Sequence, residues 1–223
     1  MVLLSNKEGP PLCLQLAAAG KHLVVEKPGV GTVADAEAIL AACAASGSVL
    51  TTSYTQRFAP CAVRLQRMVA DQQFGKVISL ENISATTDVY LRNPSHYLFD
   101  PVENNMPAGS GGYFSWLGCH NLDMVRFVSA DKIIGVTARV GVYGETPSEV
   151  EDGGAIILEM ANGALVTLIG GYWIPQRMGE TTWTVRGTHR WVHWCVPRPF
   201  DPHCSFISAP FWLQIPPFCL HLR

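Results

Sequence analysis

The chain has 223 residues, of which 48% are hydrophobic, and carries a formal net charge of −2 at pH 7. A charge this small gives no electrostatic reason to expect nucleic acid or an anionic membrane surface as a partner. No apolar run reaches the ~18 residues of a transmembrane helix, and the first residues lack the basic start of a signal peptide. The seven cysteines follow no disulfide spacing. We therefore expect a reduced, cytoplasmic protein with one large domain or two small ones.

The first part of the chain alternates short strands with short helices. Leu23–Glu26 is almost entirely apolar, which is typical of a strand buried on both faces of a parallel sheet. Thr32 and Asp35 form a capping-box pattern at the start of a helix that Gly47 ends. This alternation predicts a parallel sheet of the doubly wound kind. The other predicted elements are strands at Met1–Ser5 and Val49–Tyr54 and a helix at Leu12–Ala19.

After about residue 60 the pattern changes from alternating elements to long strands. Pro60 is suited to the first turn of a helix, which we expect to end near Gly75. Asn162-Gly163 between two apolar runs is a strong hairpin signal. These features predict an antiparallel sheet. Its strands are expected at Val77–Thr86, Ile133–Val142, Ala155–Met160, Ala164–Tyr172, Thr182–Arg186 and Arg190–Trp194, with one clear helix at Leu117–Val128.

The segment from Cys195 onward is rich in proline and aromatic residues and shows no usable period. We accordingly expect three regions, a partial Rossmann domain at 1–58, an α+β domain at 59–194 and an irregular tail at 195–223. The histidines and cysteines near this end raise the alternative of a zinc site, but they contain no Cys-x2-Cys pair and match no closed four-ligand spacing, so we expect no metal. They are His189, His193, Cys195, His203, Cys204, Cys219 and His221.

Two stretches carry residues suited to chemistry. The apolar strand before Lys27 delivers this lysine to the carboxyl end of the parallel sheet, where ligands bind in open α/β folds. The second stretch, 111–123, reads GGYFSWLGCHNLD, and its two glycines permit a tight turn into a helix. His120 and Asp123 are three residues apart and therefore neighbours on that helix. Taken singly, such a lysine is more often a surface residue and such a histidine a structural one.

The order of these motifs along the chain resembles one family. Glu26-Lys27-Pro28 comes first, Arg57-Phe58-x-Pro60 follows the third predicted strand, and the glycine–histidine helix comes next. Over about residues 5–194 this order is similar to that of the Gfo/Idh/MocA oxidoreductases, which include glucose–fructose oxidoreductase and inositol dehydrogenase. The resemblance implies an α/β plus α+β fold: the C-terminal half of a doubly wound Rossmann domain, then a mostly antiparallel open sheet.

The resemblance also implies a reaction, in which hydride passes between NAD or NADP and a secondary alcohol of a sugar, cyclitol or related polyol. Such a reaction needs a base for the hydroxyl proton and a cation beside the developing alkoxide. His120 suits the first role and Lys27 the second. The resemblance places Asn6, Glu26, Pro28 and Arg57 at the cofactor, and Trp116, Asp123 and Tyr172 at the substrate. Asp123 is equally well suited to a structural role, and Tyr172 is better explained as an ordinary sheet tyrosine.

One residue departs from the family pattern, because the usual aspartate in the glycine–histidine motif falls on Trp116. This substitution removes one carboxylate from the expected Lys/Asp/His group. We interpret it as a change of substrate pocket in preference to a loss of activity.

The glycine-rich pyrophosphate turn of a Rossmann fold has no counterpart before Glu26-Lys27-Pro28, and Gly29-x-Gly31 lacks the third glycine and acidic partner of such a turn. A βαβ unit takes ~30 or more residues, so we expect roughly 60–90 residues of the family's first domain to be missing and dinucleotide binding to be weak. The alternative hypothesis is a non-catalytic binding or oligomerisation subunit. Under either hypothesis the resemblance implies a homo-oligomer formed through the open sheet.

Overall fold

The computed structural model describes residues 1–87, 111–144, 150–174, 179–195 and 207–210. Its N-terminal part is a small parallel sheet with two helices. Leu23, Val24 and Val25 pair in parallel with Leu50, Thr51 and Thr52. The elements are α1 at Gly9–Ala18, β1 at Leu23–Val25, α2 at Val33–Ser46 and β2 at Leu50–Thr52. A single apolar cluster holds them together, formed by Val2, Cys13, Ala17, Leu23, Val25, Ile39 and Cys43.

The ends of the helices confirm the predicted caps. The Thr32 hydroxyl accepts a hydrogen bond from the Asp35 backbone N–H at 3.1 Å, and Gly47 ends α2 in the left-handed conformation with φ 69°. Helix α1 begins at Gly9, earlier than the predicted start at Leu12. The reason is the proline pair that follows Gly9, because the first turn of a helix needs no backbone donor from its residues.

Two predictions for this part are wrong. The strand expected over Met1–Ser5 is reduced to one parallel bridge, in which Val2 N donates to Val24 O at 2.7 Å and Glu26 N donates to Val2 O at 3.0 Å. The chain then turns into α1, which leaves no length for further pairing. The strand expected to be buried on both faces is buried on one, since Val24 is 40% exposed. Leu23 and Val25 face the helices, whereas Val24 points to the other side.

The second part is built on one large sheet. A 3-10 turn at Thr55–Phe58 leads into this part. The elements are α3 at Pro60–Ala70, β3 at Val77–Thr87, α4 at Cys119–Ser129, β4 at Ile133–Gly141, β5 at Gly153–Met160, β6 at Leu165–Ile174, β7 at Gly179–Gly187, β8 at Arg190–Cys195 and β9 at Ile207–Pro210. The strands of the sheet lie in the order β4-β5-β6-β3-β7-β8-β9, and every pair is antiparallel except β3 with β6.

These elements confirm the hairpin predicted at Asn162-Gly163 and the mostly antiparallel sheet. The helix from Pro60 ends at Ala70, before the predicted Gly75, and a turn follows. Strand β9 pairs with β8 inside the region that we expected to be irregular. The rest of that tail, 196–206 and 211–223, lies outside the described residues, as do His203, Cys204, Cys219 and His221. The boundaries at 58 and 194 stay predictions.

Helices α3 and α4 pack on one face of the sheet. Their buried residues Leu65, Met68, Val125 and Val128 share a core with the inward side chains of the strands. That core includes the stacked rings of Trp183 and Trp194, whose centroids are 5.7 Å apart. The opposite face carries exposed apolar side chains and is not covered by the described helices. Those side chains are Ile83, Ile157, Leu165 and Ile169.

Some classes of site can be examined directly in the described residues. The five cysteines among them, Cys13, Cys43, Cys61, Cys119 and Cys195, carry free thiols. No group of three or more His, Cys, Asp or Glu side chains within the described ranges is arranged to hold a metal ion. None of the described helices is long and apolar enough to cross a membrane.

Strand β6 offers a matched test of where the core lies, because it carries a leucine on each face. Leu168 is 1% exposed and Leu165 is 47% exposed. We expect Leu168→Ala to lower the free energy of unfolding by about 2–5 kcal/mol, because it leaves a cavity in the core. Leu165→Ala should lower the free energy of unfolding by less than about 1 kcal/mol, because its side chain is exposed. Urea titration of the chain and both variants measures the difference, and equal losses would contradict this assignment of the two faces.

Candidate active site

The carboxyl end of β1 presents Lys27 to the start of the helix that carries His120. The Lys27 ammonium donates a hydrogen bond to the backbone carbonyl of Trp116 at 2.5 Å and lies 5.1 Å from the centroid of the Trp116 ring. The position after a parallel strand is therefore connected directly to the glycine–histidine segment, although the two are far apart in sequence. Where the family motif has an aspartate, this chain gives Lys27 a carbonyl and an aromatic face.

The segment that opens this helix is wound more widely than an α-helix. Phe114–Gly118 forms a π-helical turn that continues into α4 at Cys119. The sequence predicted the helix only from Leu117. A Cβ at position 118 would lie 2.6 Å from Cδ1 of Phe114, so the glycine lets that ring pack across the turn. Turns of this kind are rare and occur often at functional sites.

Glu151 fixes the start of the same segment, and sequence reasoning missed it. Its two carboxylate oxygens accept hydrogen bonds from the backbone N–H groups of Gly112 and Phe114, each at 3.0 Å. Its own carbonyl accepts from Tyr113 N at 3.0 Å. Burial raises the pKa of the Glu151 carboxyl, and these backbone donors oppose the rise. A carboxylate that satisfies the free N–H groups at a helix start stabilises that start.

His120 lies at the centre of the candidate site. Its ring meets the ring of Tyr54 edge-on, with 5.8 Å between centroids. Its Nδ1 atom is buried and has no hydrogen-bond partner among the described residues. Burial lowers the pKa of His120, the positive charge of Lys27 lowers it further, and the carboxylate of Asp123 opposes the change. A lowered pKa keeps the imidazole neutral at neutral pH, so that it can accept a proton.

Arg57 and Asp123 form an ion pair beside this histidine. Arg57 Nε donates to Asp123 Oδ2 at 2.7 Å, and a terminal guanidinium nitrogen of Arg57 contacts Oδ1. The guanidinium also lies 5.5 Å from the ring centroid of Phe127 and 6.0 Å from that of Tyr54. Tyr54, which sequence reasoning also missed, is partly buried, and its pKa is raised to about 12 mainly by burial.

The other predicted site residues lie at different distances from this centre. Asn6 is buried just after the segment that bridges β1, and its Nδ2 has no partner in the described structure. Glu26 and Pro28 flank Lys27, and the Lys27–Pro28 peptide bond is cis. Pro28 also lines a cavity of about 210 Å³ between the strand ends and α2. Tyr172 is buried in the second part, where its ring packs edge-on against Tyr113 at 5.2 Å.

The structure thus brings five of the predicted residues into one connected group and leaves Tyr172 in a separate aromatic contact. The connected residues are Lys27, Arg57, Trp116, His120 and Asp123. The residues present fit a nicotinamide and its ribose, because Asn6 Nδ2 and His120 Nδ1 are buried polar atoms without a partner among the described residues, and each is available to bond a ligand. Lys27 itself adds a donor and a positive charge.

Comparison with known proteins identifies the family of the chain. Residues 62–193 match the GFO/IDH/MocA C-terminal domain, and residues 1–54 match the oxidoreductase family with an NAD-binding Rossmann fold. The chain belongs to the Gfo/Idh/MocA family. This confirms the predicted family and fold class, and the family's NAD-binding Rossmann fold agrees with NAD or NADP as the predicted cofactor.

The similarity extends to characterised relatives. The chain is 28% identical to 1,5-anhydro-D-fructose reductase of Ensifer adhaerens over 170 residues, which are 76% of this chain and 48% of that protein. It is 27% identical to inositol 2-dehydrogenase of Rhizobium meliloti over 154 residues, 67% of this chain and 42% of that protein. The chain therefore spans about half the length of the curated relatives that it matches.

Solved structures support the fold. Aldose-aldose oxidoreductase from Caulobacter crescentus, complexed with glycerol, superposes on this chain with a TM-score of 0.78 at 24% identity. The matched region covers 94% of this chain and 61% of that protein's chain. At identities this low the likeness concerns the fold alone.

The contact between Gly112 and Glu151 gives a test of how the site helix is anchored. A Cβ at position 112 would lie 1.8 Å from the Glu151 carbonyl oxygen, so the backbone must move. We expect Gly112→Ala to lower the free energy of unfolding by about 1–3 kcal/mol.

The matched control is Gly9→Ala, because Gly9 has no atom within 4 Å of an added Cβ and lies in a helix, where alanine is favoured. Thermal and urea unfolding of both variants measure the effect. A Gly112→Ala variant as stable as the Gly9→Ala variant would show that Glu151 does not anchor this turn.

Proposed function

We propose that this chain carries the acid–base centre of an NAD(P)-dependent oxidoreductase that acts on a secondary alcohol of a sugar, cyclitol or related polyol. The observation that carries the proposal is the hydrogen bond from Lys27, at the carboxyl end of a parallel strand, to the Trp116 carbonyl at the start of the helix segment that carries His120. Burial lowers the pKa of His120, and the charge of Lys27 lowers it further. A base that is neutral at neutral pH and a neighbouring cation are the two groups that alcohol oxidation requires.

In the proposed reaction His120 accepts the hydroxyl proton of the substrate at an imidazole nitrogen. Lys27 donates a hydrogen bond to the same oxygen and stabilises the negative charge that develops on it as the proton leaves. A bound oxidised nicotinamide supplies the acceptor for the hydride from the carbinol carbon. The product is a ketone, and the proton on His120 is released to solvent. In the reverse direction, His120 returns a proton to the alkoxide oxygen.

The remaining predicted residues are proposed to shape the two binding regions. Asn6, Glu26 and Pro28 lie next to Lys27 or on the neighbouring segment, where they would contact the nicotinamide ribose or carboxamide of NAD or NADP. Trp116 presents its ring beside Lys27, so we propose that it forms an apolar wall of the substrate pocket where the family has a carboxylate. Tyr172 would belong to the rim of that pocket. The roles of Arg57 and Asp123 are taken up below.

We further propose that the chain forms a homo-oligomer through the uncovered face of its large sheet. Ile83 and Ile169 are cross-strand neighbours on that face, and each is more than two-fifths exposed. Ile157 and Leu165 extend the apolar surface. Exposed apolar patches of this kind commonly mark protein interfaces. The same surface supports the second candidate function, a binding or oligomerisation subunit without catalysis.

The catalytic proposal is tested by incubating the chain with NAD⁺ or NADP⁺ and a panel of sugars and cyclitols, while the absorbance of reduced nicotinamide is followed. Because dinucleotide binding by this chain is expected to be weak, the cofactor is supplied in large excess, and we expect slow turnover with at least one alcohol. His120→Gln should lower the rate by about 10²–10⁴-fold, since general base catalysis contributes that much. Lys27→Ala should abolish turnover, whereas Lys21→Ala, at an exposed lysine, should leave the rate unchanged. Full turnover in His120→Gln would contradict the site assignment.

The oligomer proposal is tested by light scattering after size-exclusion chromatography. Ile169→Arg should convert the assembly to a monomer, because a charge at the centre of the apolar face cannot be buried without a partner. Val33→Arg is the control, since Val33 is also apolar and is 74% exposed but lies on α2. An assembly that persists in Ile169→Arg would rule out this face. Assembly without nicotinamide binding or turnover would favour the non-catalytic alternative.

A further inference from the structure

The ion pair of Arg57 and Asp123 joins the two parts of the molecule next to the proposed base. Arg57 lies in the 3-10 turn that follows β2, and Asp123 lies in α4. The guanidinium contacts both carboxylate oxygens, which is the two-point geometry that arginine forms best. The side chain of Asp123 is only 8% exposed, whereas that of Arg57 is 42% exposed. A carboxylate so buried depends on its partner, since an unpaired buried charge is costly.

Asp123 is also an electrostatic neighbour of His120. The two residues are three apart on one helix, so that their side chains lie on the same surface. The groups around the imidazole come from three other segments: Lys27 after β1, Tyr54 after β2 and Arg57 in the 3-10 turn, with Cys119 and Asp123 on its own helix. Asp123 is the carboxylate in this group, and a carboxylate beside an imidazole favours the protonated imidazolium.

We propose that Arg57 is a positioning residue that acts on His120 through Asp123. By binding both oxygens of the carboxylate, Arg57 keeps Asp123 turned away from the imidazole and offsets its charge. The histidine then remains the neutral proton acceptor that alcohol oxidation needs. This inference deepens the proposed function and rests on it for the role of His120, but the ion pair and its effect on the imidazole exist without turnover.

The arrangement of the surrounding groups supports a role beyond simple bracing. Arg57 stacks near Tyr54, which in turn meets the His120 ring edge-on. One side chain therefore contacts both the carboxylate and the aromatic ring that border the imidazole. If Arg57 only linked the two parts of the chain, its loss would change stability and leave the titration of His120 where it is.

The test is a double-mutant cycle read by the pKa of His120, measured by NMR titration of the imidazole C–H signals of the full chain. The His120 signal is assigned by its loss in His120→Gln. We expect Arg57→Gln to shift the pKa upward, because the freed carboxylate of Asp123 then favours the imidazolium. Asp123→Asn should shift the pKa downward or leave it unchanged. In the double variant the upward shift caused by Arg57→Gln should disappear.

Two results would overturn the proposal. The first is an upward shift from Arg57→Gln that persists undiminished when Asp123 is already asparagine, because Arg57 would then act through its own charge. The second is a His120 pKa that does not move in Arg57→Gln. Arg57→Lys, which keeps the charge and loses the two-point geometry, serves if the glutamine variant is unfolded, and it should shift the pKa in the same direction by less.

The same titration separates this inference from the proposed function. If the chain shows no turnover but the cycle behaves as expected, the positioning of His120 stands and the catalytic proposal fails. If turnover is observed but the His120 pKa does not respond to the variants as expected, the catalytic proposal stands and the positioning role of Arg57 fails. Where turnover is observed, the acidic limb of the pH profile of kcat/KM should move upward in Arg57→Gln together with the His120 pKa.

Discussion

The candidate site depends on the hydrogen bond from the Lys27 ammonium to the carbonyl of Trp116, which connects elements of two separate apolar cores. Lys27 is fixed by a core that contains Leu23 and Val25, and Trp116 belongs to a helix whose core contains Val125. Apolar packing orders each part internally but gives little direction to the contact between them, because it is not directional. A hydrogen bond to a charged group contributes about 1.5–3 kcal/mol and sets an orientation.

The local structure of the site helix explains why this carbonyl is in reach. Glu151 satisfies the free N–H groups of Gly112 and Phe114, and the π-helical turn that follows widens the winding up to Gly118. A carbonyl oxygen has two lone pairs, and that of Trp116 accepts from Lys27 and from the Cys119 thiol, the latter at 3.4 Å. Glu151 therefore positions the π-helical turn, and the turn positions the carbonyl that Lys27 binds. A substitution at Glu151 would therefore affect Lys27 indirectly, through the position of the Trp116 carbonyl.

Sequence reasoning succeeded where the physical cause is local. The caps at Thr32 and Gly47 and the Asn162-Gly163 hairpin are set by residues within a few positions of each other, so their patterns are readable. The Arg57–Asp123 pair spans 66 positions and the Glu151–Gly112 contact spans 39. No local period in the sequence signals such partners. Each contact does involve a charged residue and a position in or near the glycine–histidine motif. The strand prediction for Met1–Ser5 failed for a related reason, because strand propensity does not determine where pairing ends.

The tryptophan at position 116 changes the electrostatics of the site in a direction that suits a base. A carboxylate there would offset the charge of Lys27, whereas a carbonyl and an aromatic ring bind the ammonium while carrying no net charge. The carboxylate of Asp123, which opposes the effect of Lys27 on the imidazole, is itself paired with Arg57. That charge and burial both lower the pKa of His120. The charge of Lys27 also favours an alkoxide, so a single substitution serves both halves of the proposed proton transfer.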